Sequence, residues 1–220
     1  MLLDSIKIKI KFMKPKNICI HKSKRTKNIR MTIKQDLILH IYVPMYYNLK
    51  EIERLIALNH NWIEKHTQII FKQQQKIQEL IQQNSGKFLF FGEWIEFEKQ
   101  YTKKSIKALL VNYLEERVSY FSNLMKLSYS SIKVRYNKKV LGSCSFDNKL
   151  SFSLLLFFAD ISLIDYVVIH ELAHIRYKNH SKSFWALVEE FCPDFLHKRR
   201  VLHSNAALYN AIYLKYFNFS

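Results

Sequence analysis

One short segment of the chain carries residue types that could hold a metal ion and activate water. It reads DYVVIHELAHIRYKNHSKSFW over residues 165–185 and places His170, Glu171 and His174 in the pattern H-E-x-x-H. Two histidines four residues apart on a helix project from one face, so both imidazoles can reach a single Zn²⁺ at about 2.0–2.1 Å. A glutamate beside the first ligand can take a proton from a metal-activated water. The pattern therefore predicts a zinc-dependent hydrolase with Glu171 as general base.

The pattern is rare enough in a chain of this composition to be informative. Nine histidines and twelve glutamates among 220 residues give about 0.02 chance occurrences of H-E-x-x-H. The segment from Ser162 to Asp165 also reads as a capping box for a helix over about 163–175, which is apolar nearly all round. Polar groups buried on such a helix need partners. The competing interpretations are a hydrogen-bonded histidine network without metal and a metal site with only a structural role.

A catalytic zinc site usually has three protein ligands and one open position. His180 is the predicted third ligand, because it would lie in a turn before a second helix capped by Ser181. Its spacing equals that of the metzincins, but those carry glycine where this chain has Tyr177, so that class is excluded. One Zn²⁺ ion is expected, although three nitrogen ligands also accept cobalt, nickel or manganese. The alternative third ligands are Glu189, Glu190, His197 and His203.

Several residues near the motif have roles that the sequence leaves open. Cys144 in GSCS reads as a small buried residue rather than a nucleophile, because no neighbour in sequence would lower its pKa. Asp165 and Asp194 either cap helices and face solvent or accept a ring proton from a ligand histidine. A strand over 149–155 could offer its backbone edge to an extended peptide. The candidates for stabilising an oxyanion are Tyr166, Arg176, Tyr177 and His197.

Composition indicates a folded protein with a sizeable core. The chain is 49% hydrophobic and 15% aromatic, which argues against disorder. Its three cysteines are widely separated and form no C-x-x-C pair, which favours a reducing compartment over a disulfide framework. The start lacks the apolar core of a signal peptide, and no apolar run reaches the length of a membrane span. The expected location is therefore cytoplasmic, with no membrane partner.

Positive charge dominates the chain and is concentrated at its start. The formal net charge is +17, and residues 1–35 hold eleven Lys or Arg against the single acid Asp4. Such a surface could attract nucleic acid, anionic lipid or acidic protein. The cations alternate with Ile6, Ile8 and Ile10, so a half-exposed strand explains them equally well. Nucleic acid is thus a partner that the basic N-terminal segment allows, although no base-reading motif accompanies it.

Periodicity predicts an α+β fold made of two parts. A β-rich N-terminal part with one long helix is expected over 1–100, and a mainly helical part with a small active-site sheet over 101–220. A hairpin over 87–99 should turn at Gly92. Strands are predicted at 6–12, 17–21, 28–33, 37–43, 131–136 and 149–156, and helices at about 48–83, 103–127, 163–175, 182–192 and 205–216.

The histidine segment also resembles a known family. D-Y-V-V-I-H-E-L-A-H, then five residues, then H-S-K-S-F-W is similar to the core of the YgjP-like family of small zinc-dependent hydrolases. That family is metallopeptidase-like and distantly similar to the SprT-like proteases. GSCS at 142–145 and KSKRTKNIRMTI at 22–33 extend the resemblance over nearly the whole chain. The resemblance implies a zincin-like catalytic core, a peptide or protein substrate, and the same ligands His170, His174 and His180.

Four positions depart from the family's pattern. Val140 and Leu141 stand where Arg-Trp is expected before Gly142. Ser153 and Leu155 stand where the family tends to carry Asn and Arg. If those positions orient substrate in the family, substrate handling is altered or activity is weak in this chain. The predicted metal ligands are unaffected.

Residues and resemblance together predict a cytoplasmic zinc metallopeptidase-like hydrolase that uses a metal-activated water. The alternative is a basic nucleic-acid-associated binding protein in which the zinc site is structural. The two hypotheses differ in whether Glu171 is needed for turnover. Neither one predicts the identity of the substrate or the oligomeric state.

Overall fold

The computed structural model describes residues 17–217. It is 55% helical and 19% strand, with the strands in three small sheets, which confirms the predicted α+β class. The described residues divide into two compact units, one up to Leu80 and the other from Ile81. The predicted division into parts 1–100 and 101–220 stays a prediction. The predicted strand at 6–12 lies outside the described residues.

The first unit is a three-stranded sheet followed by two helices. Its strands are β1 (Asn17–Ser23), β2 (Arg30–Ile33) and β3 (Ile38–Pro44). The order is β1-β3-β2, with β1 parallel and β2 antiparallel to the central β3. Helix α1 (Leu49–Leu58) and helix α2 (His60–Gln83) follow, and the boundary between the units falls within α2.

Alternation along the strands decides which face of this sheet is buried. Leu39, Ile41 and Val43 point to one face and form an apolar core with Ile52 and Ile56 of α1. The intervening residues of β3 therefore point to the other face. The predicted helix over 48–83 begins as expected, with Asn48 and Glu51 forming a capping box. It is broken at Asn59, whose side chain donates to the carbonyl of Leu55.

The second unit contains the H-E-x-x-H segment. It begins with a hairpin of β4 (Lys87–Phe90) and β5 (Glu93–Glu96), which turns at Gly92 as predicted. Helix α3 (Lys103–Met125) and a second three-stranded sheet follow. The rest of the unit is a 3₁₀ helix (Leu154–Phe158), α4 (Ile161–Arg176), α5 (Lys182–Phe191) and α6 (Phe195–Phe217).

The second sheet has β8 at its centre. Its strands are β6 (Ser131–Arg135), β7 (Gly142–Cys144) and β8 (Lys149–Ser153), in the order β6-β8-β7. Strand β6 runs parallel to β8 and β7 runs antiparallel to it. The prediction that the strand at 149–155 offers its edge to a peptide is wrong, because both sides of β8 are already paired. Among the described residues, β7 is the edge strand next to α4.

Two further sequence predictions need correction. The strand predicted to continue to residue 156 ends at Ser153, whose hydroxyl accepts from Leu155 N and starts the 3₁₀ helix. An apolar run of this length does not distinguish a buried strand from a short helix. Helix α6 begins at Phe195, ten residues earlier than predicted and two residues after Pro193. Within residues 17–217, no helix is both long and apolar enough to cross a lipid bilayer.

Candidate active site

Helix α4 lies in the core of the second unit and presents the H-E-x-x-H residues. It packs against α3, α5, α6 and β7. The predicted start at Leu163 is two residues late, because Asp160 rather than Ser162 is the N-cap and accepts from Ser162 N at 2.8 Å. Val168 and Leu172 are fully buried. Packing on four sides fixes the direction in which the polar residues of α4 point.

The structure brings the three predicted metal ligands together. One ligand atom from each of His170, His174 and His180 lies within 4.8 Å of the others. The Nε2 atoms of His170 and His180 are 3.1 Å apart. Two nitrogens that each lie about 2.0–2.1 Å from a tetrahedral ion are separated by about 3.3 Å. The arrangement thus fits a single ion with little movement of the rings.

Neighbouring groups orient each histidine. His174 Nδ1 donates to the carbonyl of Tyr177 at 3.0 Å, which leaves Nε2 available as a ligand atom. His180 lies in the turn after α4, just before Ser181 caps α5 through Phe184 N. The indole of Trp185 stacks on the His180 ring, with 5.4 Å between centroids and 21° between planes. These contacts hold an exposed histidine against two partly buried ones.

Burial favours the neutral form of His170 and His174, which is the form that binds metal. Desolvation, followed by the nearby His174 and His180, lowers the pKa of His170 to about 3. Desolvation is also the main cause that lowers the pKa of His174. His170 Nδ1 is buried without a hydrogen-bond partner. The Nε2 atom of His170 faces Nε2 of His180, and three imidazole nitrogens are a donor set that zinc accepts, so the cluster fits a metal centre.

The alternative third ligands do not join the cluster. Glu189 and Glu190 are exposed on α5, and neither is grouped with the histidines. His197 and His203 are exposed on α6. The residue that sequence spacing favoured, His180, is therefore the one that the fold places beside His170 and His174.

Glu171 is a buried acid without a compensating partner. Its side chain is 4% exposed, and Oε2 has no hydrogen bond. Desolvation raises the pKa of its carboxyl to about 8. The carboxylate lies against Gly142 of β7, where an added Cβ would be 2.4 Å from Oε1. A carboxyl with a raised pKa beside a cavity is typical of a proton-transferring group.

A cavity of about 500 Å³ opens beside these residues. His170, Glu171 and His180 line it, and so does Tyr166, the only one of four oxyanion candidates found in its wall. Desolvation raises the pKa of the Tyr166 phenol to about 12, so it remains a hydrogen-bond donor. The cavity is also bordered by cationic groups and apolar residues, which include Lys138, Lys139, Val140, Leu141, Arg199 and Leu202.

Sequence reasoning did not find Arg199 or the partners of Asp165. Arg199 lies over the Trp185 ring at 5.1 Å, and no local pattern marks it because its place depends on where α6 begins.

Asp165 was expected to cap, face solvent or orient a histidine. It instead accepts from Arg117 Nε at 2.8 Å and Nη2 at 2.6 Å, and from the Tyr113 hydroxyl at 3.2 Å. The ion pair between Arg117 and Asp165 joins α3 to α4 and holds the helix that carries the site in place.

The family-departing positions divide into two groups. Val140 and Leu141 line the cavity, whereas Leu155 is fully buried and Ser153 bonds to the carbonyl of Asn137. Of these four positions, only the first pair therefore lies on the wall of the cavity. Cys144 is partly buried, and desolvation raises the pKa of its thiol, which disfavours a nucleophilic thiolate.

Comparison with known proteins supports the resemblance. The sequence model of a family described as YgjP-like, metallopeptidase domain, matches residues 27–111 and 98–205. No curated protein is significantly similar to the chain. Among solved structures, the metallopeptidase zymogen abylysin of Pyrococcus abyssi matches with a TM-score of 0.38 and 22% identity, over 41% of this chain and 92% of that one. A likeness this distant supports no inference about the site.

Proposed function

Because the chain belongs to the YgjP-like family of metallopeptidase domains, we propose that it is a zinc-dependent peptidase. Its metal ligands are His170, His174 and His180, and its general base is Glu171. The observation that carries the proposal is the convergence of three imidazoles beside a buried carboxylate on the wall of one cavity. Three protein ligands leave one position of a tetrahedral ion open, as in catalytic zinc sites.

Different residues would bind the zinc ion and orient its ligands. A Zn²⁺ ion at this position would supply a Lewis acid that acidifies water and polarises a peptide carbonyl. His174 is held in the Nε2-ligand tautomer by its bond to the carbonyl of Tyr177. Phe184 and Trp185 pack against His180 and keep water from the side of the cluster. The site is therefore organised before substrate arrives.

Glu171 moves the proton. Its unpaired Oε2 accepts a proton from the attacking water, and the same oxygen then delivers that proton to the leaving nitrogen of the scissile peptide bond. Burial favours the first step, because a desolvated carboxylate gains more from protonation than an exposed one. The leaving amine is more basic than the carboxylate, so it takes the proton in the second step. Tyr166 lines the same cavity and donates to the oxygen that becomes negative.

Strand β7 provides a place for an extended substrate. It is the edge of its sheet within residues 17–217, and Gly142 and the preceding Leu141 line the cavity. An extended peptide pairing with this edge forms main-chain hydrogen bonds that depend little on sequence. The substrate class that follows is an unstructured or locally unfolded segment of protein.

The decisive experiment separates proton transfer from metal binding. Glu171→Gln keeps the shape of the side chain but removes the base, so hydrolysis of fluorescently labelled casein should fall at least about 10²-fold. Zinc content, measured by elemental analysis, should stay at the wild-type value. His174→Ala should lose both activity and the zinc bound at this site. Glu189→Gln, an exposed glutamate on α5, is the matched control and should change neither.

A second candidate function rests on the basic surface of the first unit. Lys22, Lys24, Arg25, Lys27 and Arg30 are all exposed on β1, β2 and the turn between them. A nucleic-acid-binding protein with a structural zinc site would hold DNA or RNA there, with an affinity that falls as salt rises. This function is favoured by two results together. Glu171→Gln hydrolyses labelled casein no more slowly than the wild type, and Lys24→Glu and Lys27→Glu abolish binding to a short duplex.

A further inference from the structure

A second group of metal-ligating side chains lies on the first unit, away from the H-E-x-x-H residues. Cys19 and His21 are two residues apart on β1, so they share a face of the strand. His40 of β3 is directly opposite Cys19 in the parallel register. This face is the one turned away from the apolar core formed by Leu39 and Ile41. The sheet thus brings one thiol and two imidazoles together, although Cys19 and His40 are 21 residues apart in the sequence.

The ligand atoms of the three residues are close enough for a single ion. One atom from each of Cys19, His21 and His40 lies within 4.8 Å of the others. His21 Nε2 and His40 Nδ1 are 3.0 Å apart, close to the 3.1 Å between the paired nitrogens of the H-E-x-x-H cluster. A tetrahedral ion with bonds of about 2.0–2.3 Å requires ligand atoms about 3.3–3.8 Å apart.

The surroundings hold the two rings in place. His40 is 8% exposed, and its other nitrogen, Nε2, has no hydrogen bond and lies 3.8 Å from the carboxylate of Asp36. Metal-binding histidines commonly direct their second nitrogen at a carboxylate. His21 stacks on Tyr42, with 4.5 Å between centroids and 11° between planes. Asp36 therefore constrains the His40 ring and Tyr42 constrains the His21 ring, in addition to the contact between the two histidines.

We propose that Cys19, His21 and His40 form a second metal site, which binds Zn²⁺ through one thiolate and two imidazoles. A thiolate with two nitrogens is a donor set that zinc and cobalt accept and that magnesium and calcium do not. Binding releases the thiol proton of Cys19 to solvent, and the thiolate offsets one charge of the ion. Partial exposure of Cys19 leaves room for water as the fourth ligand.

This site would fasten β1 to the sheet. No tight hairpin ties β1 to β3, because the two strands are parallel and β2 lies between them in sequence. A bond from the ion to each strand crosslinks them across the register. Small units with limited cores often gain stability from such a metal. The role is structural and is independent of peptidase activity.

Cobalt substitution tests the proposal in the full-length chain, because a Co²⁺–thiolate bond gives a charge-transfer band that imidazole ligands do not give. The wild-type protein, prepared without metal and titrated with CoCl₂, should bind about two ions per chain and show this band. Cys19→Ser should bind about one ion and lose the band. His40→Asn tests the same site through another ligand and should also bind about one ion. Cys144→Ser, a partly buried cysteine outside the group, is the matched control and should match the wild type.

A variant of the other centre makes the two proposals separable. His174→Ala should bind about one ion and keep the thiolate band. If the proposed peptidase site binds no metal, the wild type binds about one ion with the band, and the proposal for Cys19 survives alone. A wild-type titration without the band, or a Cys19→Ser variant with an unchanged ion count and spectrum, overturns it.

Discussion

Gly142 of β7 and Glu171 of α4 are packed so closely that no side chain fits between them. A Cβ at position 142 would lie 2.4 Å from Glu171 Oε1 and 2.7 Å from Cγ. The backbone of Gly142 has no positive φ, so the glycine is needed for this contact and not for chain conformation. The edge strand thereby sets the position of the proposed general base.

Gly142→Ala should displace the Glu171 carboxylate and lower turnover of labelled casein by about 10²-fold, because shifts of about 1 Å in a catalytic group have effects of this size. Zinc content should be unchanged, since the three atoms nearest to the added Cβ all belong to Glu171. The measurement is kcat together with elemental analysis. Ser143→Ala, the next residue of β7, is the control and should retain activity. Full activity in Gly142→Ala would mean that this contact does not set the position of Glu171.

Asp165→Asn should destabilise the second unit without changing the ligand set. The substitution removes the negative charge of the carboxylate to which Arg117 donates two hydrogen bonds. The partly buried guanidinium is then less well satisfied. A loss of about 1–3 kcal/mol in the free energy of unfolding follows from the cost of breaking a charge-assisted pair. Urea denaturation measures it. Asp147→Asn, whose carboxylate pairs with exposed Lys149, should cost little by comparison.

The features that could be predicted from the sequence are those whose relation is local. His170 and His174 are one helical turn apart, and Ser181 caps the helix that follows His180, six residues after His174, so spacing alone predicted that the three side chains lie close together. The capping box at Asn48 and the turn at Gly92 are local signals as well. Each of these depends on hydrogen bonds between residues close in sequence.

The residues that were missed depend on pairing between distant segments. Arg117 and Asp165 are 48 residues apart and meet only because α3 packs on α4. Cys19 and His40 face each other only in the parallel register of β1 and β3, which no turn in the sequence specifies. The register also explains why these histidines look scattered in the sequence.

Zinc should stabilise the second unit through His180. Binding to the folded state alone adds about 2.7 kcal/mol when free zinc is 100 times the dissociation constant. For a chain of this length, that corresponds to a rise of roughly 5–10 °C in Tm. His180→Ala should lose a large part of the rise, whereas His203→Ala, also exposed and outside the cluster, should keep it. Thermal melts with EDTA and with added ZnCl₂ provide the comparison, and an equal rise in both variants would remove His180 from the ligand set.

Alkaline pH should weaken the fold through Tyr113. Burial, with the neighbouring Asp165 charge, raises the pKa of its phenol above the ordinary value of 10.0. A raised folded-state pKa gives stability that is complete below the unfolded pKa and is lost as pH rises through the folded one. Tyr113→Phe should therefore lose less stability than the wild type between about pH 9 and about pH 11. Urea midpoints at both pH values test this, with exposed Tyr46→Phe as control. Equal losses in Tyr113→Phe and the wild type would contradict it.

Trp185 should set the affinity of the proposed zinc centre without binding the ion. Its indole stacks on the His180 ring and also on the Phe195 ring, the latter at 5.2 Å and 16°, so the exposed histidine packs on a partly buried aromatic pair. Trp185→Leu keeps apolar bulk on α5 but removes the flat surface against His180. Loss of a group that orients a ligand typically weakens metal affinity by about 10–100-fold. Competition with a chelating dye measures the dissociation constant, and Trp94→Leu on β5 controls for the general loss of an indole. Because the His170 and His174 rings remain in place on α4, Trp185→Leu should still bind one ion there at saturating zinc, which distinguishes an orienting role from loss of a ligand.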